Sequence, residues 1–194
     1  MQDLGERISE ALAKEEARAE QFANNVRLIL LFVLTSVSLL NISSVSFEAN
    51  ILNFGALTIG YTYGFIVFVR IRRTGYHPMM KYVTSCLDMI LLFLLLFLYT
   101  RIEIPSVALK NYVFLTVFPL IAITAFRYDR RLTLVAGGLA VALYLVLILS
   151  LTLSTSITLT RGGYERELFS SDVTYIGQFT KVLILCGYVL LLSY

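Results

Sequence analysis

Six apolar runs divide the chain: Leu28–Ser46, Ile51–Val69, Val83–Thr100, Leu109–Phe126, Leu132–Leu153 and Val173–Tyr194. Each is close to the ~20 residues that cross ~30 Å of hydrocarbon as helix. None alternates apolar and polar positions, as a ~10-residue barrel strand would. Helices close every backbone hydrogen bond within one segment, so they are the structure lipid allows here. The pattern predicts an all-α, polytopic membrane protein with six transmembrane helices. Ahead of the first run, residues 3–26 are polar, lack proline and are rich in alanine, glutamate, lysine and arginine, which predicts a further helix. The expected organisation is thus a cytoplasmic N-terminal helix over 1–27 and a six-helix domain over 28–194.

In the N-terminal helix, Leu4, Ile8, Leu12, Ala19, Phe22 and Val26 fall near one stripe. Glu10 and Lys14 form an i,i+4 pair in the favourable order. No glycine or proline separates this helix from the first run, so the two are expected to be continuous. It reads either as a solvated extension or as a surface for a partner chain or attached domain.

Basic residues set the orientation. Arg7, Lys14, Arg18 and Arg27 precede or open the first run. Arg70, Arg72, Arg73 and Lys81 join the second to the third, and Arg127, Arg130 and Arg131 the fourth to the fifth. The opposite side holds only Arg101, Lys110, Arg161 and Arg166. This bias predicts that the N- and C-termini lie on the cytoplasmic side of the membrane. The polar, acidic start does not resemble a cleavable signal peptide, so the first run is expected to serve as the insertion signal. On the outer side, connections near Phe47–Asn50 and Arg101–Ala108 are short, predicting antiparallel hairpins. The longest, Ser154–Asp172, contains Arg161-Gly162-Gly163-Tyr164-Glu165-Arg166-Glu167 and is open to a functional or a tethering role.

Composition narrows the function. Hydrophobic residues make up 58 % of the 194 and charged residues 15 %, against about 45–50 % and about 25 % in soluble domains. A net charge of +3 gives no nucleic-acid footprint. Cys86 and Cys186 lie in apolar runs, which excludes a disulfide framework and a structural zinc site. The single histidine, His77, excludes bis-histidine haem ligation and reads as a solvated loop residue. There is no phosphate-cradling glycine loop, no paired carboxylates on one helix and no metal-ligand spacing. No catalytic, metal or cofactor residue is therefore assigned in this chain. No internal repeat supports an inverted-repeat transporter.

Small residues recur every fourth position: Ala56, Gly60 and Gly64 in the second run, Ala136/Ala140 and Gly138/Ala142 in the fifth. That spacing lets helix backbones approach closely in lipid, within one bundle or across a dimer seam. Tyr82, Tyr99, Tyr112, Tyr128 and Tyr175 lie near span ends, as an aromatic belt requires. Tyr61, Tyr63, Tyr144 and Tyr188 lie deeper and need hydrogen-bond partners.

Asp88 is the sharpest polar signal, because an ionised carboxylate in hydrocarbon costs at least ~2.5–3.5 kcal/mol. A structural role, hydrogen-bonding a hydroxyl or tyrosine on another helix, is favoured over a gate, a receptor element or a proton relay. A lone carboxylate makes a poor relay. On the structural reading Asp88→Asn should be nearly silent and Asp88→Leu disruptive. Lys181 and Gln178 lie in the outer part of the sixth run, where Lys181 is expected to snorkel outward rather than pair with Asp88.

Two stretches resemble the membrane domains of bacterial class III adenylate/guanylate cyclases. One is Tyr76-His77-Pro78-Met79-Met80-Lys81-Tyr82-Val83-Thr84-Ser85-Cys86-Leu87-Asp88. The other is Phe126-Arg127-Tyr128-Asp129-Arg130-Arg131-Leu132-Thr133-Leu134-Val135-Ala136-Gly137-Gly138. Some sensor histidine kinases carry similar modules. The resemblance implies an anchor and receptor module that dimerises and holds two cytoplasmic domains together. Those domains make cyclic AMP from ATP with Mg²⁺ or Mn²⁺ on two aspartates. No such residue lies in 1–194, so ATP and metal belong to a domain expected beyond Tyr194, where the chain stops still apolar at Leu191-Leu192-Ser193-Tyr194. Expected partners are the lipid bilayer, a second copy and a small lipophilic or extracellular ligand. The competing readings are the sensor module of a histidine kinase and a small six-helix transporter or channel.

Overall fold

The computed structural model describes residues 2–74, 76–102, 109–127, 129–154, 159–160 and 173–194; side chains are described from Ala11 onward, except those of Ala13, Thr74 and Thr160. Tyr128, most of the Arg101–Ala108 connection, the Arg161–Glu167 segment and the side chains of Leu4, Ile8 and Glu10 lie outside the described set.

Among the described residues the structure is mostly helical: α1 Gln2–Leu40, α2 Phe47–Thr74, α3 Met80–Ile102, α4 Val117–Ala125, α5 Arg130–Leu153 and α6 Tyr175–Leu192. A five-residue 3-10 turn, Tyr112–Thr116, leads into α4. Five helices are long and apolar enough to cross a membrane: Lys14–Leu40, Phe47–Arg73, Met80–Ile102, Arg130–Leu153 and Tyr175–Leu192. Their outward faces are apolar, with Phe32, Phe65, Val146, Phe179 and Leu183 exposed. Such faces on such helices point to a membrane-embedded protein.

The fourth apolar run departs from the six equal spans expected. Its helical part, Tyr112–Ala125, is shorter than a membrane crossing, reaching roughly 24 Å at the rises of 3-10 and α helix. Pro119 explains the break. It has no N–H to bond the Leu115 carbonyl and its ring crowds that carbonyl, so regular α-helix begins only at Val117. Asn111 caps the preceding turn, accepting from the Val113 N–H at 2.9 Å.

Boundaries elsewhere follow local chemistry. α1 is one helix of 39 residues, because nothing between the polar start and the first run interrupts it. It stops at Leu40, earlier than the hydrophobic pattern suggested, and the 41–46 turn is fastened by Asn50 Nδ2 donating to the Ile42 and Val45 carbonyls. Ser46 Oγ then accepts from the Ala49 N–H to start α2. Asp129 caps α5 through the Arg131 and Leu132 N–H groups. Thr174 caps α6 through Gly177. Just before α6, Val173–Thr174 pairs in parallel with Leu159–Thr160.

The main core joins α3, α4, α5 and α6 through Met89, Leu96, Val117, Ile121, Tyr144 and Leu185. Tyr144 packs on Phe114 with ring centroids 4.8 Å apart, and Tyr188 meets Phe118 edge-on at 5.2 Å. α1 and α2 form a hairpin laid against this core. Gly60 faces Leu31 and Gly64 faces Leu28 along the hairpin seam, and Tyr61 hydrogen-bonds Thr35 at 3.2 Å across it. On α5 the close approach is at Gly137, where a Cβ would come within 2.3 Å of Val189; Gly138 has open space. Ala136 and Ala140 are buried, while Gly138 and Ala142 are exposed.

Candidate functional site: a buried charge cluster keying α1 into the bundle

Glu16, Glu20, Asn24 and Arg27 are spaced by four, four and three residues, which puts them on one face of α1. That face turns inward: Glu20, Asn24 and Arg27 are 1 %, 1 % and 5 % exposed. Of the apolar stripe read from the sequence, Leu12 and Phe22 are 62 % and 48 % exposed, and Ala19 and Val26 are half-buried. On α3, Lys81, Thr84, Ser85 and Asp88 follow the i, i+3, i+4, i+7 pattern of a single face. The two polar faces meet.

The Arg27 guanidinium grips Asp88 with two parallel bonds, Nε to Oδ1 at 2.8 Å and Nη2 to Oδ2 at 2.6 Å. This fork-to-fork geometry is the strongest form of the interaction. Arg27 Nη1 also donates to Asn24 Oδ1 at 2.7 Å, and Asn24 Nδ2 donates to the Gly64 carbonyl at 3.2 Å. The guanidinium lies 4.9 Å from the centre of the Tyr63 ring, and the Tyr63 hydroxyl donates to the Thr84 carbonyl at 3.2 Å. One α1 residue thereby engages α2 and α3 together.

A second ion pair lies one turn away. Glu20 Oε1 accepts from Thr84 Oγ1 at 3.0 Å and from Arg127 Nη2 at 3.1 Å. Arg127, in the α4–α5 turn, also donates through Nη1 to the Lys81 carbonyl at 2.8 Å and to Ser85 Oγ at 2.6 Å. Glu20 Oε2 and Arg127 Nε are buried and carry no hydrogen bond. At the rim, Lys81 bridges Glu16 at 3.1 Å and Asp129 at 3.0 Å, and Tyr82 donates to Asp129 Oδ2 at 2.9 Å.

Burial raises Asp129, but bonds from Lys81 and Tyr82 outweigh it and hold the carboxyl below its ordinary value. Burial also pulls Arg127 down, partly offset by Glu20. Tyr76 is pushed up to about 12, by burial first and by Glu16 second. Residues 76–88 and 126–138, distant in sequence, thus converge on one layer, and α1 docks on both. α6 reaches the same end, where Arg130 Nε donates to the Ser193 carbonyl at 2.5 Å and lies 5.3 Å from the centre of the Tyr194 ring.

Of Asp88, Lys181 and Gln178, read from the sequence as polar site residues, only Asp88 lies in this cluster, and its partner is a cation rather than a hydroxyl or tyrosine; Tyr63 and Gly64 also contribute to it. Gln178 is elsewhere, its Oε1 accepting from the Tyr144 hydroxyl at 2.6 Å inside the main core. Lys181 Nζ donates to the Leu109 carbonyl at 2.9 Å. Neither reaches Asp88. His77 is exposed. Glu20, Asn24, Arg27, Thr84, Ser85 and Arg127 were not read from the sequence as site residues. The available signal was the 4-4-3 polar spacing that enters the first apolar run.

Among the described residues no group of three or more His, Cys, Asp or Glu side chains could hold a metal ion. The cluster ties α1 to α2, α3 and the α4–α5 turn. No protein-family model, curated protein or solved structure matches the chain.

Proposed function

We propose that this chain is the membrane anchor and receptor module of a nucleotidyl cyclase, with α1 and α6 as the elements that pass a signal across the bundle. The observation that carries the reading is the docking of α1. A continuous helix is keyed by Glu16, Glu20 and Arg27 onto α3 and the α4–α5 turn, and by Asn24 onto α2. A passive hydrophobic anchor needs no such buried ion pairs, because each charge costs ~2.5–3.5 kcal/mol to bring into hydrocarbon. Two coupled pairs instead define a register that a modest change can release.

The cyclase resemblance adds the output, since the two stretches that carry it are those on which α1 docks. On this reading the basic layer faces the cytoplasm, both termini lie there, and the module is a homodimer that brings two catalytic domains together. On the same reading ATP and Mg²⁺ or Mn²⁺ belong to the output domain and not to residues 1–194. Three measurements test the proposal. The gene beyond the Tyr194 codon should encode a cyclase domain, and the membranes of cells expressing the parent protein should convert ATP to cyclic AMP. Crosslinking of the chain at low expression should trap a dimer. A phosphotransfer domain or an immediate stop codon beyond Tyr194, with no cyclic AMP formed, would overturn it.

A further inference from the structure

The α1–α2 hairpin is fastened to α3 at two levels. At the basic end the fasteners are Arg27–Asp88 and Tyr63–Thr84. Toward the other end the Tyr99 hydroxyl bonds Asn53, and Ala49 and Tyr99 pack with Leu52, Leu95 and Ile102. Between these levels lies a cavity of about 380 Å³. Its walls include Leu30 and Leu34 of α1, Ala56 and Gly60 of α2, and Leu91 and Leu95 of α3. Arg27, Asp88 and Tyr63 lie at its basic end. The volume falls in the ~300–1,000 Å³ range of small-molecule sites.

We propose that this cavity binds an uncharged lipophile, its hydrocarbon among the leucines and a single hydroxyl or carbonyl at the Arg27–Asp88 pair. The walls set the first half of that description, since they are almost wholly apolar. The charge balance sets the second. Arg27 and Asp88 neutralise one another, so a charged head group would leave a surplus charge among apolar walls, which is costly. The pair also has spare capacity. A guanidinium offers five N–H donors and a carboxylate about four acceptor positions, of which the described bonds engage three on Arg27 and two on Asp88. A ligand carbonyl can accept from Arg27, or a hydroxyl can donate to Asp88, without opening the ion pair. Such a ligand touches the fastener between α1 and α3, and its consequence for signalling rests on the receptor reading above.

The test is photolabelling of the chain in phosphatidylcholine nanodiscs with a diazirine-bearing long-chain alcohol. Labelling is expected at Leu34, Leu91 and Leu95 and should be competed by the plain alcohol. The alkane of equal length should compete about five-fold less well, the worth of one hydrogen bond. Ala56→Phe should abolish labelling by filling the cavity; Leu91→Phe is the second plug should the first fail to reach wild-type thermal stability. Equal labelling by a diazirine-bearing phosphatidylcholine, or labelling spread over Phe32 and Phe65 and unaffected by both plugs, would show an acyl-chain cleft only and overturn the proposal. Binding without any effect on cyclase output would leave this site standing and remove the receptor reading. Output that depends on Arg27 and Asp88 without alcohol labelling would do the reverse.

Discussion

Removing either member of the Arg27–Asp88 pair should cost far more than removing both. The side chains of the two residues are 6 % and 12 % exposed and are joined at 2.6 Å. Two unit charges about 4 Å apart attract by about 4 kcal/mol at an effective dielectric constant near 20. Breaking a buried pair by removing one partner costs about 3–5 kcal/mol, because the other charge is left uncompensated. Arg27→Met and Asp88→Leu should therefore each destabilise by about 3 kcal/mol. The double variant should lose about 1 kcal/mol or less, since apolar replacements of a whole pair are often neutral. The same logic revises the sequence-based expectation for Asp88→Asn. Against a hydroxyl partner that change would have been nearly silent; against Arg27 it keeps shape and loses the charge, so a loss of about 2–3 kcal/mol is expected. Neutral hydrogen bonds between transmembrane helices average only ~0.6 kcal/mol, so the two cases are separable. The assay is a double-mutant cycle on unfolding in a fixed lipid environment. A double variant whose loss equals the sum of the single losses, or an Asp88→Asn protein as stable as wild type, would refute the reasoning.

Three further outcomes are expected. Gly137→Ala should destabilise by about 1–3 kcal/mol through overpacking, because the new Cβ meets both methyls of a stiff valine, Val189, at 2.3 and 2.5 Å, whereas Gly138→Ala should be neutral; thermal unfolding of the two variants decides. Asp129 is held below its ordinary value of 3.8, so its contribution to stability is fully present above that pH and is lost as pH falls through the lower folded value. Asp129→Asn should thus flatten the acid end of a stability–pH profile, and an unchanged profile would contradict the Lys81 and Tyr82 contacts. Cysteines placed at Arg72 and Arg130 should be shielded from impermeant thiol reagents in intact cells, while one at Gly162 should react; the opposite pattern would reverse the orientation.

Most of the architecture is legible in the sequence because lipid leaves few choices. Long uninterrupted leucine-rich runs become helices, and Asp129, Thr174 and Asn111 mark starts by ordinary capping chemistry. The fourth run is less regular than hydropathy suggests, because Pro119 has no N–H for the Leu115 carbonyl and the first turn is 3-10. The site is less legible. Arg27 and Arg127 enter a topology argument simply as positive charges, and the pairs they form depend on contacts sixty-one and one hundred and seven residues away. The stripe ending in Phe22 and Val26 looks like a buried face under the rule for soluble helices. In a chain whose surroundings are apolar the burden inverts: phenylalanine can face outward, and glutamate, asparagine and arginine must find one another. A polar residue recurring every third or fourth position on a helix that enters a span is thus the feature to read first.

On the reading proposed above, the most direct test of α1 as a register-keyed signalling element is charge reversal in the cyclase that this chain would anchor. Cyclic AMP formation would be measured at matched membrane levels for wild type, Arg27→Asp, Asp88→Arg and the double swap. A latch between α1 and α3 predicts that each single reversal shifts the rate several-fold and that the double swap returns it toward wild type, because the fork is restored in the opposite sense. Four indistinguishable rates, or a double swap no better than either single reversal, would contradict it.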